Sequence, residues 1–418
     1  MGFREALFNG LAPDGGLYMP DTIPHLGKDY FQSDLIYPEL AMGMIHQFAK
    51  DDLSKNQLTD ICESAFDFPL PITELNETDS VLELFHGPTL AFKDFAARFM
   101  ARTMSHFIKN ENQELTILVA TSGDTGSAVA NGFYHVEGIN VIILYPSKRV
   151  SAIQEKQLTT LGGNITALEI DGTFDDCQRM VKQAFQDQEL RQRLSLSSAN
   201  SINIVRLLPQ SVYYAWASKK CSENEPILFS VPCGNFGNLT GGLLAKRMGL
   251  PVENFIAATN MNDTFPHYLD SGKIRNQEAI QTISNAMDVG VPSNLDRIQN
   301  LYDLDVNKIK TDIFSWRFSD DETKFCIKNT QDKTNYLIDP HSAVGVLGLN
   351  KFREKTNSTL RGVVLGTAHP GKFSDVINPI IGDEIPLPNS LKTALEKEKN
   401  SIKMSTKFSD LKEYFLAS

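Results

Sequence analysis

Short apolar segments alternate with amphipathic ones along most of this chain, and this alternation restricts the fold more than any other feature. Residues 115–120 (LTILVA), 140–145 and 165–170 (ITALEI) are rich in Val, Ile and Leu, as expected of buried strands. Helical patterns separate these segments, and a further one follows at 174–185. Repeated strand–helix–strand units build parallel sheets, so the sequence predicts an α/β fold.

The alternation resumes after residue 203, where a long helix is predicted to residue 220. Before residue 80 the pattern is instead mainly helical, with apolar residues such as Leu40 and Met44 at helical spacing. Further strands are predicted at 227–232 (ILFSVP), 255–259 (FIAAT) and 361–367 (RGVVLGT).

Composition excludes several classes of protein. The 418 residues carry 40 basic and 51 acidic side chains, and a net charge of −11 argues against nucleic acid or an anionic membrane as partner. Five scattered cysteines form no CxxC pair and eight histidines form no HExxH motif, so we expect neither disulfides nor a protein-held metal. The N-terminus lacks the apolar core of a signal peptide, and no apolar run is long enough to span a membrane. We therefore expect a cytoplasmic protein.

Lys93 stands in an apolar and aromatic stretch, LFHGPTLAFKDF (84–95). An apolar setting lowers the pKa of a lysine or demands a partner for it. A desolvated amine is what a carbonyl-bearing cofactor needs to form a Schiff base. Taken alone, the residue would more often be a helix-start lysine whose ammonium reaches water.

Two glycine-rich turns supply what such a lysine would need nearby. Each follows a predicted strand and precedes a predicted helix, in LTILVATSGDTGSAVA (115–130) and ILFSVPCGNFGNLTGGLLAKRM (227–248). Backbone N–H groups at such helix N-termini form anion sites, and successive N–H groups in GNFG can surround a phosphate. Neither turn contains G-x-G-x-x-G and no Walker A sequence is present, which disfavours a nicotinamide-dependent enzyme or a nucleotide hydrolase.

These motifs and several others resemble those of the threonine synthases, in the N-terminally extended branch found in bacteria and fungi. The resemblance runs in order from about residue 5 to beyond residue 380. The matching segments are ELFHGPTLAFKDFAARFM (83–100), ATSGDTGSAVA (120–130), SANSINIVR (198–206), VPCGNFGNLTGGLLAKRMGLP (231–251), ATNMNDTFP (258–266), SNAMDVGVPSN (284–294) and GTAHPGKF (366–373).

The resemblance implies a fold-type II pyridoxal-phosphate enzyme, in which two parallel-sheet α/β domains enclose the cofactor and a mainly helical N-terminal domain precedes them. We expect the N-terminal domain at 1–80 and a small α/β domain at 113–199. The small domain would be inserted into a large cofactor-binding domain made of 81–112 and 200–418.

The reaction that the resemblance implies converts O-phospho-L-homoserine and water to L-threonine and phosphate, the last step of threonine biosynthesis. It is a γ-elimination followed by hydration at Cβ, catalysed by a carbon–oxygen lyase that acts on phosphates, with pyridoxal 5'-phosphate as electron sink. Lys93 would hold the cofactor at rest and then move protons at Cα and Cβ. A monomer or homodimer is expected, with this small molecule as its partner.

Further residues take their expected roles from the same resemblance. Gly234, Asn235, Phe236 and Gly237 would bind the cofactor phosphate, and the Thr367 hydroxyl would face the pyridine nitrogen. The substrate carboxylate would lie against the loop that contains Thr121, Ser122, Asp124 and Thr125. The substrate phosphate would be bound by Ser201, Asn203 and Arg206, with the planar guanidinium as its main donor.

Two alternatives stay open on the sequence. One is another fold-type II enzyme, such as a serine/threonine dehydratase or a β-replacing synthase, which needs no second phosphate pocket. The other is a non-catalytic homologue that only binds pyridoxal phosphate or another ligand; it would be expected to lack Lys93 or the GNFG loop, and both are present.

Some positions receive no role, and some depart from the family pattern. His86, Asp94, Asp263 and His369 each lie beside a motif and suit either a functional or a packing role equally well. Cys233 stands where serine is common and Asn238 where aspartate is common, and both changes roughly conserve size. Family members commonly carry a short strand-like lead before the segment equivalent to EALFNGLAPDGGLYMP, and this sequence begins almost directly there, so the first strand of the N-terminal domain is left open.

Overall fold

A computed structural model describes residues 1–109, 114–121, 123–221, 225–275 and 277–417. Its secondary structure alternates as the sequence predicted, and three short 3-10 helices lie at Ile204–Arg206, Asn285–Met287 and Pro370–Phe373. The strands are β1 (Ile72–Glu74), β2 (Asp79–Glu83), β3 (Leu115–Ala120), β4 (Ile139–Pro146), β5 (Ile165–Ile170), β6 (Ser195–Ser197), β7 (Ile227–Pro232), β8 (Val252–Thr259), β9 (Ile313–Arg317), β10 (Gly362–Gly366) and β11 (Ile402–Met404).

The helices cover the sheets and form most of the region before β1. They are α1 (Phe3–Asn9), α2 (Lys28–Gln32), α3 (Tyr37–Ala49), α4 (Lys55–Ala65), α5 (Lys93–Ile108), α6 (Asp124–Phe133), α7 (Ala152–Thr159), α8 (Phe174–Gln186), α9 (Gln188–Arg193), α10 (Leu208–Cys221), α11 (Gly237–Arg247), α12 (Thr264–Ser271), α13 (Leu295–Leu301), α14 (Val306–Asp312), α15 (Asp320–Thr334), α16 (Pro340–Thr356), α17 (Ser374–Ile381), α18 (Asn389–Glu396) and α19 (Phe408–Ala417).

Two sheets organise the described chain. The larger has the order β1-β2-β10-β7-β8-β9 and is parallel except for its edge strand β1. The smaller has the order β11-β5-β4-β3-β6 and is parallel throughout. Strands β3 and β7 are buried along their whole length, as expected of parallel strands that helices cover on both faces. These two sheets confirm the predicted fold class.

The region before β1 is helical because its apolar residues share one face of each helix. Leu40 and Met44 of α3 are about 1% exposed and pack in the main core. Helix α4 begins at a capping box, in which the Ser54 hydroxyl accepts from the N–H of Gln57 and the Gln57 side chain accepts from the N–H of Ser54.

Two segments differ from the prediction. The single helix expected at 203–220 is divided into the 3-10 helix Ile204–Arg206 and α10, because Pro209 lacks the N–H that a continuous helix would require. At the C-terminus, β11 pairs with β5 and α19 packs on α8, so both lie on the smaller sheet and not in the large domain where 200–418 was assigned. The other domain boundaries stay predictions.

The carboxyl ends of β2, β3, β7 and β10 lead into the four motif-bearing segments. A bridge between Ala91 and Ala368 joins the segment before α5 to the one after β10. Next to it, the N–H of Phe92 donates to the carbonyl of Thr367 at 2.9 Å. Because ligands in parallel α/β sheets bind at the carboxyl ends of the strands, this edge is where a site is expected.

Candidate active site

Lys93 is the first residue of α5. Its amine is desolvated by the surrounding protein, although the residue as a whole is only half-buried. Burial lowers the pKa of Lys93 to about 8, because Lys372 and Arg206 add to the effect of desolvation and Asp124 opposes it only in part. The amine therefore loses its proton at mildly alkaline pH, well below the usual range for a lysine, and a nucleophile or base must be unprotonated.

The loop 234–237 is shaped for an anion. Gly234 lies so close to the chain behind it that a Cβ would be 2.6 Å from the Cα of Met287, so only glycine fits. Phe236 has a φ of 58° and turns the backbone into α11, whose N-terminus begins at Gly237. The free N–H groups and the helix dipole at this end favour a phosphate. Asn235 is fixed on both sides: its amide N–H donates to Ser201 Oγ at 2.6 Å and its Oδ1 accepts from the N–H of Ser293 at 2.6 Å.

Thr367 follows β10 and is 6% exposed. Its carbonyl accepts from Phe92 and its N–H donates to Ser342 Oγ at 3.3 Å. The Ser342 hydroxyl in turn donates to the buried carboxylate of Asp339. The backbone of Thr367 is thereby fixed, and its hydroxyl is not needed to hold the strand end in place.

The loop after β3 shows different surroundings for each predicted residue. Thr121 Oγ1 accepts from the N–H groups of Gly123 and Gly126 at 3.0 and 2.9 Å, so this hydroxyl shapes the turn. Ser122 lies outside the described residues. Thr125 is half-buried at the start of α6.

Asp124 is buried at the N-terminus of α6 and forms an ion pair with the equally buried Lys372, with 2.7 Å between Oδ1 and Nζ. The same oxygen accepts from Gln154 Nε2 at 3.0 Å. Burial alone would raise the pKa of Asp124, but Lys372 and Lys93 together hold it well below its usual range. The carboxylate is therefore ionised, and its charge is already neutralised by Lys372.

Arg206 is 2% exposed, and no ion pair joins it to a carboxylate among the described residues. One N–H donates to the carbonyl of Ala199, while the buried Nε has no hydrogen-bond partner in the described chain. Burial lowers the pKa of Arg206 to about 10, yet the group stays charged at neutral pH. A buried cation with an unpartnered N–H suits a bound anion.

Both polar groups of the Asn203 side chain bond the protein backbone. Its amide N–H donates to the carbonyl of Leu7 at 2.8 Å, and its Oδ1 accepts from the N–H of Val205 at 3.1 Å. The side chain thus connects the segment 198–206 to α1. Ser201 is half-buried and faces Asn235, as described above.

The sequence interpretation missed Arg297, which is 1% exposed on α13. Its guanidinium donates to the carbonyls of Tyr18 at 3.1 Å and Ile202 at 2.6 Å, and to Asn294 Oδ1 at 2.7 Å. Asn294 Nδ2 donates onward to the carbonyl of Asn235 at 3.0 Å. The one available signal was an arginine between the apolar positions of a short amphipathic helix.

Two buried cations at this edge of the sheets, Arg206 and Arg297, are joined by no ion pair to a carboxylate among the described residues. Lys372 is instead paired with Asp124. An unpaired buried cation is compensated when an anion binds beside it.

The two histidines without an assigned role have structural partners. His86 Nε2 lies 2.6 Å from Glu83 Oε2. His369 Nδ1 accepts from the N–H of Gly371 at 3.0 Å, and burial lowers the pKa of His369, so the neutral ring serves as a cap. His369 thus supports the backbone of its motif, whereas His86 bonds a side chain.

The two aspartates are also held by neighbours. Asp94 accepts from the N–H and the hydroxyl of Thr89 at 2.8 and 2.6 Å, and burial raises its pKa to about 6. Asp263 pairs with Arg275 at 2.6 Å and Arg317 at 2.7 Å.

The two departures from the family pattern are buried. Cys233 Sγ lies 3.2 Å from the carbonyl of Val231, and burial raises its pKa well above the usual range, so it is not a reactive thiol. Asn238 Oδ1 accepts from the hydroxyls of Tyr213 and Tyr214 at 2.6 and 2.8 Å. An aspartate could accept the same two bonds.

The residues at this edge of the sheets fit pyridoxal phosphate. Lys93 provides an amine with a lowered pKa, the loop 234–237 lies at a helix N-terminus, and Thr367 places a hydroxyl at a fixed strand end. A family model described as pyridoxal-phosphate dependent enzyme matches residues 80–365. Together with the fold and the site, this match defines the protein as an enzyme that uses pyridoxal phosphate as its cofactor. Models of the threonine synthase N terminus and C-terminal region match residues 1–66 and 342–415. The chain belongs to the threonine synthase family.

Individual members of this family match the chain along essentially its whole length. A threonine synthase of Haemophilus influenzae is 43% identical over 418 residues, which is 100% of this chain and 97% of the relative. The crystal structure of threonine synthase from Escherichia coli superposes with a TM-score of 0.93 at 39% identity, covering 100% of this chain and 97% of that one. A pyridoxal-phosphate-bound threonine synthase from Brucella melitensis gives a TM-score of 0.93 at 36% identity, with coverage of 99% and 96%.

Within the described residues, no helix is long and apolar enough to cross a membrane. In the same part of the chain, His, Cys, Asp and Glu side chains form no group of three or more that could hold a metal ion.

Proposed function

We infer that this protein is a threonine synthase, which converts O-phospho-L-homoserine and water to L-threonine and phosphate with pyridoxal 5'-phosphate as cofactor. The observation that carries this conclusion is the match to threonine synthases over essentially the full length of both chains. The geometry supports this conclusion, because the reaction requires sites for two phosphates and the Asn235–Ser201 hydrogen bond joins the two segments that we propose to bind them.

Lys93 is proposed to hold the cofactor at rest and to move protons during the reaction. When bound, pyridoxal phosphate supplies a sink for the electron pairs released at the substrate carbons. With a pKa of about 8, Lys93 can accept a proton from Cα and from Cβ and return one, since a base is most effective when its pKa is near the working pH.

The four residues 234–237 are proposed to bind the cofactor phosphate, and Thr367 to face the pyridine nitrogen. A hydroxyl can donate to or accept from that nitrogen, so it imposes no protonation state on the ring. The N-terminus of α11, which begins at Gly237, supports the first assignment, because its free N–H groups and dipole attract a phosphate.

The substrate is proposed to bind between the two sheets. Its carboxylate would lie at the N-terminus of α6, against the loop of Thr121, Ser122, Asp124 and Thr125. Its phosphate would lie against Ser201 and Arg206, with Asn203 fixing the segment. The unpartnered Nε of Arg206 supports this assignment, since a phosphate oxygen would satisfy it.

The alternative of a dehydratase predicts turnover of L-serine or L-threonine without need of Arg206. A direct experiment supplies O-phospho-L-homoserine and L-serine in separate assays, and measures phosphate release, threonine by chromatography and 2-oxo acid. We expect threonine and phosphate in equal amounts from the first substrate, and little 2-oxo acid from the second. The reverse pattern would favour the dehydratase, and inactivity of cofactor-loaded protein towards both would favour the non-catalytic homologue.

We also propose that the protein acts in the cytoplasm as a monomer or homodimer and binds no nucleic acid. The net charge of −11 supports the last point. Light scattering coupled to gel filtration would give the mass in solution, and a trimer or larger assembly would contradict the proposal.

A further inference from the structure

The motif 366–373 contains Lys372, to which the proposed reaction assigns no role. Lys372 lies on the 3-10 helix Pro370–Phe373 and is 0% exposed. Its ammonium donates to the carbonyl of Thr89 at 2.8 Å and pairs with Asp124 at 2.7 Å. A fully buried lysine is rare, and its desolvation must be offset by well-placed acceptors.

These contacts join three parts of the fold. Lys372 follows β10 of the larger sheet, while Asp124 follows β3 of the smaller sheet. Thr89 lies four residues before Lys93. Two glutamines of α7 bond the same acceptors, Gln157 to the carbonyl of Thr89 at 3.2 Å and Gln154 to Asp124 at 3.0 Å.

Charge gives a reason for the pair. A carboxylate at the N-terminus of α6 would repel a substrate carboxylate that binds to the same loop. Lys372 neutralises Asp124, so the N–H groups and dipole of the helix can still attract an anion. Without Lys372, Asp124 would be a buried, unpaired charge within this loop.

We propose that Lys372 is a positioning residue of the active site, which neutralises Asp124 and fixes the carboxylate-binding loop against the segment that carries Lys93. The proposal rests on the proposed function, since it takes the loop after β3 as the place of the substrate carboxylate. It assigns to Lys372 a role in substrate affinity and in the ionisation of Lys93, but no direct contact with the reacting atoms.

The charges that face the two lysines determine the direction of the effect on Lys93. Lys93 is faced by Asp124 from α6, by Arg206 and by Lys372. Lys372 is faced in addition by Asp94 and His369. Removal of Lys372 deletes a positive charge and exposes Lys93 to an unpaired Asp124, so the pKa of Lys93 rises. Removal of the Asp124 charge lowers that pKa.

The test compares Lys372→Met, Asp124→Asn and the double variant as holoenzymes. Binding of L-2-amino-5-phosphonopentanoate, the phosphonate isostere of the substrate, is measured from the change that it causes in the cofactor spectrum. We expect Lys372→Met to bind it at least about tenfold more weakly, because a buried charge is left unpaired beside the ligand carboxylate. The double variant should recover most of the affinity, because no unpaired charge remains. A double variant no better than Lys372→Met would overturn the proposal.

The pH dependence of kcat is the second measurement. A purely structural role of Lys372 would not shift it in opposite directions in the two single variants. The acid limb should shift by at least about half a pH unit towards higher pH in Lys372→Met and towards lower pH in Asp124→Asn. If Lys372→Met fails to fold, Asp124→Asn decides alone, and an unmoved limb would overturn the proposal. Absence of wild-type turnover of O-phospho-L-homoserine would instead refute the proposed function, which separates the two failures.

Discussion

The side-chain amide of Asn235 donates to the hydroxyl of Ser201 at 2.6 Å. This bond joins the glycine loop after β7 to the segment 198–206. The two bonded residues are 34 positions apart in the sequence. One segment offers the N-terminus of α11 to an anion, and the other carries the buried cation Arg206. An enzyme that handles a phosphorylated cofactor and a phosphorylated substrate needs two such segments side by side.

Lys93→Ala should fold and retain noncovalent cofactor, yet lose turnover by at least about 100-fold, since it removes both the covalent attachment and the base. Borohydride reduction of the wild-type holoenzyme followed by peptide mapping checks the attachment. Reduced cofactor on any lysine other than Lys93 would refute the assignment, as would wild-type turnover in the variant.

Arg206→Leu should lower kcat/KM for O-phospho-L-homoserine by at least about tenfold while the cofactor spectrum stays unchanged, because a charge-assisted bond to the substrate phosphate is lost. Arg191→Leu is the matched control, since Arg191 is exposed on α9 and lies outside the motif segments. Equal kinetics in both variants would place the substrate phosphate elsewhere.

Thr367→Asp should keep the cofactor but shift products away from threonine, towards exchange of the Cα proton or abortive transamination. A carboxylate would hold a proton on the pyridine nitrogen and strengthen the electron sink at Cα, whereas threonine synthesis needs charge passed on to Cβ and Cγ. Product ratios by chromatography and deuterium incorporation at Cα are measured together, with Thr367→Ser as the control that keeps the hydroxyl. Normal threonine formation by Thr367→Asp without side product would show that Thr367 does not face the nitrogen.

Asp94 should make the stability of the protein depend on pH. Its pKa of about 6 in the folded protein exceeds the usual value of 3.8, so the folded state retains a proton that the unfolded state has lost between these two values. Stability from this group is present below pH 4 and declines as pH rises towards 6, by about 3 kcal/mol in total. Urea unfolding of wild type and Asp94→Asn from pH 4 to 7 measures the difference, and a difference that does not change with pH would contradict the shift.

Local patterns predicted the parts of the fold that depend on neighbouring residues. Strands 115–120, 165–170 and 227–232 have the bounds that their apolar runs indicated, and Lys93 begins a helix. The division of the helix after residue 203 was missed because the apolar pattern continues through Pro209, although proline cannot donate the bond that a continuous helix requires.

Long-range contacts account for what the sequence could not reveal. Arg297 bonds to Tyr18 across 279 positions, and Lys372 bonds to Thr89 across 283. The sequence around Arg297 or Lys372 does not differ from that around a solvent-exposed helix residue. Their burial and their partners therefore become evident only in the folded chain. The same holds for strand β11, whose three residues acquire a place only by pairing with β5.

The central claim is tested most directly by incubating the purified, cofactor-loaded protein with O-phospho-L-homoserine and following phosphate and L-threonine together. We expect both to appear at the same rate in wild type, and neither to form at a significant rate in Lys93→Ala. Intact substrate after prolonged incubation, or phosphate released without threonine, would contradict the account.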